Sequence, residues 1–210
     1  MFQVFATEVE SILITMTTQN FRKKALLLAF SLRIFSLALC LGSLFVPFAI
    51  GLKSVVSSDS GSIVTNYGPA FAFIFGGRID TGRVTYNAIG VSTPGIVAYL
   101  LCGLSFVALL ASFAIRKRVA SKWTVFGATL GVLVSSIIML CAHESAATVL
   151  ADSIIGRRTD SVVATMIRNT SLQFGFWGFA LFGFFVVVML LASFIFDGTF
   201  DDIRLRISRK

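Results

Sequence analysis

The chain has 210 residues, of which 56% are hydrophobic, 22 are phenylalanine and only 13% are charged. A soluble domain carries about 25% charged residues, so an ordinary water-soluble fold is excluded. The net charge of +8 would point to nucleic acid in a soluble protein. Here the basic residues sit beside apolar runs, which makes them a topology signal and removes nucleic acid as an expected partner.

Residues 1–24 come first. Phe2, Phe5, Val9, Ile12 and Met16 are spaced by threes and fours, which places them on one helical face and predicts an amphipathic helix on the inner membrane surface. Such a helix serves membrane contact or partner docking. The basic residues follow the apolar ones, and Glu8 and Glu10 interrupt them, so the segment does not read as a secretory signal. "MTTQNFRKKALLL", from Met16, also reads as a membrane-protein start.

Residues 25–196 read as a four-helix transmembrane domain. The apolar runs cover 34–52, 95–115, 123–142 and 174–196, and none contains a charged residue. Each is close to the ~20 residues a helix needs to cross about 30 Å of hydrocarbon. The first run extends back to Ala25 if Arg33 is taken inside it. An arginine two turns deep is a candidate functional charge; if the span starts at Ile34 instead, Arg33 snorkels to the interface. The shorter span is the expected one, with Pro47 kinking it.

Between the first two runs lies a loop of residues 53–94. "SVVSSDSGS" reads as flexible. Phe71, Phe73 and Phe75 alternate with Ala70, Ala72 and Ile74, a strand period, and form a candidate outer-loop contact. "GGRIDTG" reads as a turn and "RVTYNAI" as a second strand, so a small β-hairpin is predicted here. The loop at 143–173 reads as helical. Ala147, Leu150, Ala151 and Ile154 continue the periodicity of the third run, Gly156 ends it, and "TDSVVATMIRN" restarts a helix from Thr159 or Asp160. Residues 197–210 form a basic tail.

His143 is the chain's only histidine, followed by Glu144. A zincin needs a second histidine at i+4, where this chain has Ala147. His143 therefore reads as the end of the third helix, and no metal or cofactor is expected. Cys40, Cys102 and Cys141 all fall within the runs and read as small packing residues. Small residues also form stripes: Gly127, Gly131 and Ser135 on the third span, and Ala98, Cys102 and Ser105 on the second. These are candidate helix-packing or partner faces, used to close the bundle or to bind another subunit.

Of the 18 basic residues, 12 fall on the side that holds both ends and the turn at 116–122, and 6 on the other. The positive-inside rule then puts both termini in the cytoplasm of a plasma-membrane protein. The layout is similar to that of claudin-like tetraspan proteins: inner termini, a long first outer loop, a short basic inner turn and a shorter second outer loop. That family's first loop carries a tryptophan-containing motif and a cysteine pair. This loop has neither, and no functional residue carries over.

The expected function is that of a non-catalytic accessory or scaffold subunit, contacting lipid and other membrane subunits or a second copy of itself. Two alternatives compete with it. One is an oligomeric channel or transporter component that uses Arg33. The other is a lipid-handling enzyme that uses His143, Glu144, Asp152 and the Arg157–Arg158 pair.

Overall fold

A computed structural model describes residues 2–58, 61–80, 85–87, 90–155 and 170–197, of which 2–22, 55–58, 61–64, 80, 118, 154 and 155 are described by backbone alone. The chain is mostly helical. Four of its helices are long and apolar enough to cross a membrane, over Lys23–Phe48, Thr93–Ala114, Val119–Leu140 and Phe174–Phe196. This is the pattern of a multi-pass membrane protein.

The helix α1 runs unbroken from Phe2 to Phe45. The N-terminal segment is thus a direct extension of the first span, not a separate element. The span also starts earlier than residue 34. Leu26, Leu27, Leu28 and Phe30 are exposed on this helix, which is where lipid-facing side chains belong, and they carry the apolar stretch back to Lys23. Arg33 lies inside it. Pro47 does not kink the helix: it sits at the start of a 3-10 turn, Val46–Phe48, that follows its end. Proline has no N–H to donate to the preceding turn, so the helix stops before it.

Two compact units make up the chain, one spanning Leu37–Val187 and one formed by the parts before and after it. In the larger unit, β1 (Leu52–Ser58) and β2 (Gly61–Asn66) form an antiparallel hairpin. The stretch "SVVSSDSGS" is therefore largely strand: Val55 pairs in register with Val64 and Val56 with Ile63, and β-branched residues favour strands. A third strand, β5 (Thr170–Leu172), joins the other edge of β1, giving the order β2-β1-β5.

The phenylalanine segment is a helix, not a strand. α2 covers Ala70–Phe75, entered from Pro69 in extended conformation and closed by Gly76 at φ 87°. Phe71 and Phe75, one helical turn apart, pack with tilted rings whose centroids are 4.8 Å apart. Ala70 and Ala72 face inward because backbone packs on them: a Cβ on Gly51 would lie 2.6 Å from the Ala70 Cα. β3 (Arg78–Asp80) and β4 (Thr85–Asn87) then pair antiparallel. Part of the predicted turn is thus strand.

α3 (Thr93–Ala114) begins at Ser92, whose hydroxyl accepts from the Gly95 N–H, a standard N-cap. A three-residue basic turn leads to α4 (Arg118–Leu140). α5 (His143–Ile155) is a new helix, separated from α4 by a turn at Cys141 and Ala142. His143 therefore opens a helix instead of ending one. The predicted second helix of this loop lies outside the described residues. The last element, α6, runs Phe174–Phe196.

Candidate functional site

Three polar arrangements stand out against the apolar helices. The first is in the core of the larger unit, where α1, α3 and α4 meet. Ala98, Cys102, Ser105 and Ser112 are all buried on α3, spaced so that they form one face. Ser135 on α4 donates its hydroxyl hydrogen to the Ala98 carbonyl at 2.7 Å. A Cβ on Gly131 would collide with the Ser105 hydroxyl, so glycine is what lets α3 and α4 approach. From α1, Cys40 brings its sulfur to 3.9 Å from the Cys102 sulfur, and the Ser43 hydroxyl lies 3.3 Å from Cys102. Bilayer lipid is as apolar as leucine, so close contact and hydrogen bonds between helices replace the hydrophobic effect as the glue.

The sequence-predicted stripe thus comes together in large part. Ala98, Cys102, Ser105, Gly131 and Ser135 close the helix pair. Gly127 does not: a Cβ there would meet nothing within 4 Å. It sits on an outward ridge with Trp123, Leu130 and Val134, all exposed. Gly183 on α6, a glycine of the fourth apolar run, also closes onto α4, where a Cβ would strike the Ser136 hydroxyl. The signal was a glycine in the middle of an apolar run, a residue helices disfavour unless something must come close.

The second arrangement belongs to the smaller unit. Arg33 forms an ion pair with Asp197, just past the end of α6, and its Nε donates to the Ser193 hydroxyl at 3.5 Å. The two charged side chains are 16% and 8% exposed. An arginine within an apolar span costs a few kcal/mol unless it finds a partner. Here the partner is supplied from within the chain.

The third is a pocket of about 500 Å³ between the segment entering α3 and α5, lined among others by Thr93, Pro94, Cys141, Glu144, Thr148 and Asp152. It gathers two carboxylates, Glu144 and Asp152, and three hydroxyls, Thr93, Ser145 and Thr148. His143 turns elsewhere, its Nε2 lying 3.2 Å from the Thr170 hydroxyl on β5. The histidine and the two acids named for lipid chemistry are thus directed to different places, and Arg157 and Arg158 lie outside the described residues. No three metal-binding side chains cluster among the described residues.

Phe71, Phe73 and Phe75 split between two faces of α2. Phe73 is fully buried. Phe71 stacks on Phe48 at 4.8 Å, and both Phe71 and Phe75 meet the Tyr99 ring edge-on. Tyr99 donates its hydroxyl hydrogen to the Leu44 carbonyl near the end of α1. These phenylalanines are satisfied largely by the chain's own helices. Compared with known protein families and with curated proteins, the chain matches none.

Proposed function

We propose that this is a non-catalytic plasma-membrane protein that acts as an accessory or scaffold subunit through contacts with other membrane proteins, with both termini in the cytoplasm. The observation that carries the reading is how completely the polar interior is used to hold the helices together. Among the described residues no buried side-chain nitrogen or oxygen lacks a hydrogen-bond partner, and the one arginine deep in a span is paired with Asp197. An interior committed to its own cohesion leaves the lipid-facing surface for function. On that surface the notch at Gly127, flanked by Trp123 and Leu130, suits close approach by a helix of another subunit.

The test is purification from native membrane in mild detergent, with mass spectrometry of what co-elutes. A membrane protein in stoichiometric amount is expected, and Gly127→Leu, which has room inside the chain, should lose it while remaining folded. A wild-type protein that runs alone overturns the reading. A channel would instead show ion flux from the purified protein in liposomes, abolished in a folded Arg33→Ala variant.

A further inference from the structure

The contact between Cys40 and Cys102 exceeds what packing requires. Two thiols from different helices face each other at 3.9 Å, and each is at most 1% exposed. The surrounding hydrogen bonds have a fixed direction. Ser43 has one hydroxyl hydrogen, and it goes to the Cys40 carbonyl at 2.7 Å. Towards Cys102, 3.3 Å away, Ser43 is therefore an acceptor, and the Cys102 S–H points at it. The Cys102 sulfur then turns its lone pairs to Cys40, whose S–H points at them. Ser135, one helix over, is likewise committed to the Ala98 carbonyl. Each sulfur thus sits against the other with no hydrogen-bonded group between them.

A disulfide needs the sulfurs at about 2.05 Å, against 3.9 Å between the two thiols here. The product is uncharged. That matters in a bilayer, where a buried charge is costly. A bis-thiolate holding a singly charged soft metal would carry a net negative charge, and no cation is among the groups bonded to either sulfur in the described residues.

We infer that Cys40 and Cys102 are a redox-modification site, an intramembrane dithiol that a lipid-soluble quinone oxidises to a disulfide joining α1 to α3. Two S–H bonds break and one S–S bond forms. The two electrons and two protons pass to the quinone, which leaves as the hydroquinone. A lipid-soluble oxidant fits the location: both thiols lie within helices long and apolar enough to cross a membrane, and neither is more than 1% exposed. Cys141, in contrast, is exposed beyond the end of α4 and has no thiol partner among the described residues.

The full chain is reconstituted in liposomes after reduction, treated with a short-chain ubiquinone analogue, then denatured and alkylated, and its intact mass is measured. Before oxidation all three cysteines should take the alkyl group. Afterwards only Cys141 should, with the mass of the pair lower by two hydrogens and migration unchanged after reduction. Cys141→Ser should still form the bond, and Cys102→Ser should leave Cys40 alkylatable. Three alkylated cysteines after quinone treatment overturn the inference. So does a bond that forms with the water-soluble oxidant diamide but not with the quinone, because the site would then not be served from the membrane.

Discussion

Gly131 and Gly127 lie one helical turn apart on α4 and meet opposite surroundings. A side chain at 131 has to displace the Ser105 hydroxyl, and one at 183 the Ser136 hydroxyl. Gly131→Leu and Gly183→Leu should each cost about 1–3 kcal/mol by overpacking, seen as a lower melting temperature in detergent, whereas Gly127→Leu should melt like the parent. The Arg33–Asp197 pair is a second residue-scale feature with a measurable size. Arg33→Ala takes the ion-pair partner away from a largely buried carboxylate and should lower stability by on the order of 3 kcal/mol. Combining it with Asp197→Asn should recover a good part of that loss, and a double-mutant cycle measures how much. A pair that contributes nothing would show the two single changes simply adding.

At the scale of elements, what was legible in the sequence followed one rule. Elements specified by their own composition could be read, and elements specified by a distant neighbour could not. The four apolar helices were legible because length and hydropathy are local. α2 was misread because alternating Ala and Phe fits a strand and also fits a short helix whose Phe71 and Phe75 share a face. The choice is made by Gly51 and Gly175, where a Cβ would come within 2.6 Å of Ala70 or its neighbours, so alanine must point there and a helix places it. β5 was invisible for the same reason: Thr170–Leu172 becomes a strand by pairing with Leu52–Ser54. Of the candidate site, the α3–α4 stripe could be read from small-residue spacing, while the partners of Arg33 and His143 could not. Two changes check this account of α2. Phe73→Ala removes a fully buried ring and should cost about 3–5 kcal/mol. Ala70→Leu, smaller as a chemical change, should be at least as damaging, because backbone occupies the space it needs. Both are read from thermal melts.

For the whole molecule, four helices are long and apolar enough to cross a membrane, and the proposed function has all four cross it, with both ends on the side where the positive-inside rule expects the basic residues, the cytoplasm. Fluorescent reporters fused to either end should therefore light up inside the cell, and an alkaline phosphatase inserted near residue 60 should be active outside it. Activity of the phosphatase only at the ends would reverse the orientation. The ion pair has a further consequence, in the order of events during synthesis. Arg33 and Asp197 are 164 positions apart, so at ~5–20 residues per second the arginine waits roughly 8 to 33 s for its partner. Throughout that interval the first helix holds a charge that a bilayer disfavours by about 2.5–3.5 kcal/mol, and it must be tolerated at the membrane edge or by the insertion machinery. Only the finished chain supplies Asp197. A polypeptide cut short before α6 never makes this ion pair, so it should insert its first helix less stably than the full chain does, a difference that membrane extraction of the two measures.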